Sequence, residues 1–120
     1  MANDSAVPRK RGAAYLLIRH RVASYRKWRS VFDADGPARK ARGCTSGQLF
    51  RSANDPRELV VMLKWKSLEQ AREFAMSDDL RQTMVRAGVS DRPDVYVVLT
   101  EPPPPHGLCR EKTDKRPTPG

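Results

Sequence analysis

Residues 57–65, Arg57-Glu58-Leu59-Val60-Val61-Met62-Leu63-Lys64-Trp65, decide how this chain folds. The apolar run from Leu59 to Leu63 follows the turn-forming stretch Ser52-Ala53-Asn54-Asp55-Pro56, so it reads as a strand entered from a turn. Successive side chains of a strand face opposite ways. Leu59, Val61 and Leu63 therefore share one face and Val60 and Met62 the other, and both sets are apolar. An antiparallel strand with one wet face alternates apolar with polar residues. This one demands cover on both sides.

The other elements follow outward from it. Thr45 to Arg51 predicts the hairpin partner, and Ala14 to Val22 (AYLLIRHRV) predicts a first strand. Between them, Ser24 caps a helix that carries Tyr25, Trp28 and Phe32 on one face. Asp35-Gly36-Pro37 interrupts that helix; Pro37 opens a second helical piece, which Gly43 ends. Downstream, Ser67 and Gln70 have capping-box spacing and start a helix with Leu68, Ala71, Phe74 and Ala75 as its stripe. Ser77-Asp78-Asp79 places acids at the start of a further helix over Asp79 to Ala87, with Leu80 and Met84 inward and Gly88 as its stop. Pro93 precedes a last strand, Asp94 to Thr100, where Val95, Val97 and Leu99 oppose Tyr96 and Val98. Both of its faces are apolar too.

The order β-α-β-β-α-β is the split βαβ pattern: a ferredoxin-like α+β fold with a four-stranded antiparallel sheet and helices on one face. Helices on one side leave the second face uncovered. A second copy of the chain is the simplest cover, which predicts a homodimer joined through the sheet face.

The 120 residues suffice for one domain, expected over residues 13–100. Residues 1–12 are expected to be a disordered basic tail. Residues 101–120, EPPPPHGLCREKTDKRPTPG, hold most of the ten prolines and are expected to be a disordered proline-rich tail. The formal charge is +9, and the core keeps most of it, with basic residues concentrated between Arg19 and Lys40. Such a field concentrates anions in general. Neither a nucleic-acid motif nor aromatic residues interleaved on an exposed basic sheet is evident, which argues against nucleic acid. No segment approaches the ~18 apolar residues that span a membrane. The N-terminal stretch lacks the apolar region of a secretory signal, and Cys44 and Cys109 make neither a disulfide framework nor a metal-ligand spacing. A cytoplasmic protein is expected.

The stretches LLIRHRV, SYRKWRSVFD, GCTSGQLFRSANDPRELVVMLKW and SLEQAREFAMSDDLRQTMVRAGV together resemble the antibiotic-biosynthesis-monooxygenase-like group of the dimeric α+β-barrel superfamily, from about Ala14 to about Thr100. The resemblance implies a ligand cavity between the sheet and the helices of each subunit. His20, Trp28, Phe32, Phe74 and Met84 would border it, with Arg81 as a further lining candidate. Aromatic residues at helical spacing are ordinarily core residues, so Trp28, Phe32 and Phe74 have that bland reading as well. His20 is the only histidine of residues 13–100 and the one candidate for a catalytic or ligand-orienting group, since a free imidazole titrates near neutrality. A hydrogen-bonded histidine at a strand end is its bland reading.

Two functions follow from the resemblance. One is the oxidation of a small aromatic or apolar molecule without a metal or organic cofactor, with His20 and Arg19 or Arg81 stabilising a developing anion. The other is a non-enzymatic dimeric module whose cavity is packed shut or holds a small apolar or anionic molecule. The superfamily's haem degraders carry an asparagine, a tryptophan and an iron-ligating histidine where His20, Phe74 and Met84 stand here, and a thioether is a weak substitute for imidazole. Neither haem nor any other cofactor is expected. Nucleotide loops, GxSxG and HExxH are missing from the sequence, and Ser24, Ser67 and Ser77 read as caps rather than nucleophiles.

Overall fold

A computed structural model describes residues 12–109. The expected tails over 1–11 and 110–120 lie outside the described residues. Residues 101–109 have neither helix nor strand, and a turn there is closed by the Gly107 N–H donating to the Pro104 carbonyl at 2.9 Å.

Within Ala13–Thr100 the elements run β1 (Ala14–Arg21), α1 (Tyr25–Ala34), α2 (Gly36–Ala41), β2 (Cys44–Arg51), β3 (Glu58–Trp65), α3 (Leu68–Ala75), α4 (Asp78–Ala87) and β4 (Asp94–Leu99). The strands form one antiparallel sheet in the order β2-β3-β1-β4. This is the ferredoxin-like arrangement, with elements shifted by a residue or two from the sequence reading. One such shift removes Val22 from β1. It makes an isolated bridge to Val89 instead, which ties the end of β1 to the chain leaving α4.

Local chemistry sets the helix boundaries. Ser24, Ser67 and Ser77 each accept a hydrogen bond from the backbone N–H three residues on (Lys27, Gln70 and Leu80), satisfying donors that an α-helix leaves open at its start. The Ser67 hydroxyl also donates to the Gln70 side chain at 3.1 Å. Gly88, at φ 81°, caps α4 in the left-handed region.

The alternation of burial along β1 and β3 settles the facing. Leu16, Ile18, Leu59, Val61, Leu63 and Trp65 lie under the helices. There they meet Trp28 of α1, Ala71 and Phe74 of α3, and Leu80 and Ala87 of α4. The register then puts three rows across the opposite face: Phe50-Val60-Arg19-Asp94, Gln48-Met62-Leu17-Tyr96 and Ser46-Lys64-Tyr15-Val98. Phe50 and Tyr96 are about half exposed there. At one end of this face the Arg19 guanidinium reaches three carboxylates, Asp94 at 2.7 Å and Glu58 and Asp91 at 3.1 Å each.

Gly43 joins α2 to β2 at φ 115°, and a Cβ there would come within 2.6 Å of the Gln70 side chain. Its carbonyl accepts from the Lys66 N–H at 2.9 Å, so the turn is held against the start of α3. Two penalties meet at this position: a backbone region that L-residues avoid, and a steric clash. Gly43→Ala is expected to lower the unfolding free energy by about 2 kcal/mol, read from urea denaturation. An unchanged midpoint would show that the turn is not constrained in this way.

Candidate functional site

His20 is the last helix-facing residue of β1, opposite Leu59 of β3. Its neighbours in that row, Ala14, Leu16 and Ile18, are apolar, so strand alternation alone carries an imidazole into the core. It is 3% exposed, and neither Nδ1 nor Nε2 has a hydrogen-bond partner among the described residues. A column of flat groups continues from it. Trp28 lies at 5.7 Å between ring centroids, Phe32 stacks on Trp28 at 4.8 Å, and the Arg39 guanidinium sits 3.8 Å over the Phe32 ring. Residues 28, 32 and 39 follow helical spacing from α1 into α2, which explains how one chain segment builds the column.

A cavity of about 40 Å³ lies beside the column, bordered by His20, Trp28, Phe32, Phe74, Met84 and Arg39, among others. That volume suits a single water molecule. On the other side of Phe32, Arg39 and Leu63, which border both spaces, an open groove of about 710 Å³ runs between α1–α2 and β2.

The structure thus brings His20, Trp28, Phe32, Phe74 and Met84 to one place. It does not bring Arg81. Leu80 and Met84 take the inward side of α4, and the Arg81 guanidinium lies at the surface against Asp78. Arg19, the other candidate for stabilising an anion beside His20, points to the opposite face of the sheet. Its hydrogen bonds to Asp94, Asp91 and Glu58 raise its pKa above the ordinary arginine value. Neither arginine can serve the cavity. The sequence reading missed Arg39, because Asp35-Gly36-Pro37 was read as an interruption; its signal was the spacing of seven residues from Phe32. Asp35 and Thr83 are the other polar residues that border the cavity.

Burial lowers the His20 pKa to about 4; Asp91 opposes that shift and Arg19 adds to it. The ring is therefore neutral at pH 7, with one nitrogen able to donate and one to accept. Its basicity is too weak for an efficient general base near neutrality, since such a base works best with a pKa close to the operating pH. Its chemistry is that of a buried hydrogen-bonding group. Burial also raises the pKa of the Cys44 thiol, which borders the groove and donates weakly to the Ser46 carbonyl at 3.5 Å. A thiol held in its protonated form is a poor nucleophile. Among the described residues no three His, Cys, Asp or Glu are grouped to hold a metal ion, and no helix is long and apolar enough to cross a membrane.

No protein-family model and no curated protein matches the sequence. Solved structures do match the fold. A Bordetella bronchiseptica protein, described provisionally as an antibiotic biosynthesis monooxygenase, superposes with a TM-score of 0.60 at 19% identity, over 72% of this chain and 95% of its own. Rv0793 from Mycobacterium tuberculosis gives 0.56 at 21%, over 72% and 92%. SnoaB from Streptomyces nogalater, a cofactor-independent oxygenase, gives 0.53 at 17%, over 72% and 93%. The chain has the fold of the antibiotic-biosynthesis-monooxygenase-like α+β-barrel proteins. At these identities the likeness is one of backbone, so what the site does here rests on its own residues.

Protonation of His20 gives the site a pH signature. The folded pKa lies below the unfolded value near 6.5, so the unfolded chain takes up the proton first as the pH falls. Stability is expected to be complete above about pH 6.5 and to decline toward pH 4, by about 3 kcal/mol in all. Urea unfolding at pH 7 and pH 5 measures this, and His20→Leu is expected to flatten the difference. An equal pH dependence in both proteins would show that His20 is not a buried neutral group.

Proposed function

We propose that the protein is a homodimeric binding module whose cavity beside His20, about 40 Å³ when closed, opens through movement of Met84 to take a small aromatic or apolar molecule between sheet and helices. The observation that carries this reading is the imidazole itself: buried, neutral, without a partner on either nitrogen among the described residues, and beside a cavity walled by Trp28, Phe32 and Phe74. Each unsatisfied buried polar atom costs about 1–3 kcal/mol. A water or a ligand's polar atom would remove that cost. Met84 supplies an adaptable wall, because an unbranched thioether repacks readily around a guest. Two free cysteines in separate parts of the chain suit a reducing cytoplasm.

The test is a titration with 2-naphthol, followed calorimetrically and through the His20 ring resonances. Saturable binding with a shift of those resonances is expected, and His20→Leu is expected to weaken it by about tenfold, the loss of one good hydrogen bond. No saturable binding, or an unchanged affinity in the variant, would overturn the reading.

A second reading is favoured by the fold shared with SnoaB. A bound hydroxyaromatic anion would donate electrons to dioxygen, forming a carbon–oxygen bond and releasing one oxygen atom as water while a ring CH2 becomes a carbonyl. His20 would then hydrogen-bond the ligand's oxygen rather than remove its proton. Oxygen uptake with an anthrone as substrate separates the two readings: uptake above the uncatalysed rate supports oxidation, and its absence leaves the binding module.

The dimer joins through the sheet face that carries Leu17, Phe50, Val60, Met62, Tyr96 and Val98. Several large side chains on that face would each forgo about 1.5–3 kcal/mol of burial in a monomer. One self-complementary contact about a two-fold axis hides them on both copies. Light scattering is expected to give twice the chain mass. Met62→Asp is expected to give a monomer or an unfolded chain, since an unpaired charge would enter a dry interface. A stable wild-type monomer at micromolar concentration would refute the interface.

A further inference from the structure

The groove between α1–α2 and β2 has a charge that the His20 reading does not use. Four cations border it, Arg29, Arg39, Lys40 and Lys66, and no carboxylate does. Arg29 is already matched, its Nε lying 2.9 and 3.1 Å from the two Asp33 oxygens. Lys40 and Lys66 have no ion pair among the described residues. Arg39 is the exceptional one. It is 9% exposed, yet its nearest carboxylate, Asp35, stands at 3.8 Å, too far for a hydrogen bond, and its guanidinium donates no hydrogen bond among the described residues. The guanidinium borders the groove with its fork unfilled, and the geometry that fills a fork is that of a carboxylate.

The apolar lining narrows the ligand further. Phe32, Leu49 and Leu63 form one wall, with the Leu63 side chain packed so closely on Gly47 that a Cβ there would come within 2.9 Å of it. A volume of about 710 Å³ lies within the usual range for small-molecule sites. Phe32 and Arg39 also partition the groove from the His20 cavity, so an anion on Arg39 would hold the rest of its molecule against that partition.

We propose that this groove binds a small amphipathic carboxylate, its carboxylate paired with Arg39 and Lys66 and its aromatic or aliphatic body on Phe32, Leu49 and Leu63. The groove is a second site, separated from the His20 cavity by Phe32 and Arg39, and the proposal goes beyond the binding reading above. A single guanidinium fork with apolar walls favours a monoanionic carboxylate over inorganic phosphate, which has no body to bury.

Calorimetry on the full chain with 2-naphthoate and its neutral isostere 2-naphthamide tests the assignment. The carboxylate is expected to bind at least about tenfold tighter, and Arg39→Gln to abolish that preference while leaving the amide unchanged. Asp35→Asn removes the nearest competing carboxylate and is expected to tighten naphthoate by about threefold without affecting the amide. It keeps the test open should Arg39→Gln fail to fold. Equal affinities for the two ligands, or weaker naphthoate binding in Asp35→Asn, would overturn the proposal. So would inorganic phosphate displacing naphthoate at matched ionic strength. If 2-naphthol binds and naphthoate shows no preference, the anion assignment fails alone; if neither binds, the binding reading fails with it.

Discussion

Two helical layers can cover only one face of a four-stranded sheet, and this chain makes both faces of its strands apolar. The helix-facing side is closed by Leu16, Ile18, Leu59, Val61, Leu63 and Trp65 against Trp28, Ala71, Phe74 and Leu80. The other side presents rows of Leu17, Phe50, Val60, Met62, Tyr96 and Val98 to whatever lies beyond the sheet. Burial of apolar area is the dominant favourable term in folding and association. The same alternation therefore builds the core on one side of the sheet and leaves apolar rows on the other.

His20 is a consequence of that alternation. It occupies the fourth position of a row otherwise made of Ala14, Leu16 and Ile18, so the pleat carries a polar ring to a depth where none of the described residues hydrogen-bonds to it. Low dielectric surroundings disfavour the imidazolium, which is why burial leads the depression of its pKa. The column from His20 through Trp28 and Phe32 to Arg39 then links this neutral, enclosed end to a cationic, open one.

The arginines show how position sorts like residues into different roles. Arg19 and Arg21 lie on the outer face of β1 and meet Asp94, Asp91, Glu58 and Asp55; such ion pairs at a partly exposed edge add little stability each but leave no charge unmatched. Arg39, on α2, lies over Phe32 with its fork unfilled. Net charge describes both alike. Only the second is a candidate for selecting an anion.

Much of the fold was legible in the sequence, because its signals are local. Ser24, Ser67 and Ser77 as caps, Gly88 as a stop, and the apolar runs of β3 and β4 depend on neighbours a few residues away. The doubly apolar strands also announced that a second face needs cover. Which face that is depended on pairing: Val60, Met62, Tyr96 and Val98 turn outward because the register aligns Leu59, Val61 and Leu63 with the helix side of β1. The site was legible in its aromatic residues and His20, whose inward direction follows from helix and strand periods. Arg81 and Arg19 were placed wrongly because a basic residue near a cavity in sequence can turn to solvent or to the opposite face. Arg39 was hidden for the converse reason: a charge becomes a site only when tertiary packing removes water from it, and the packing of α2 over Phe32 is set by contacts distant in the chain.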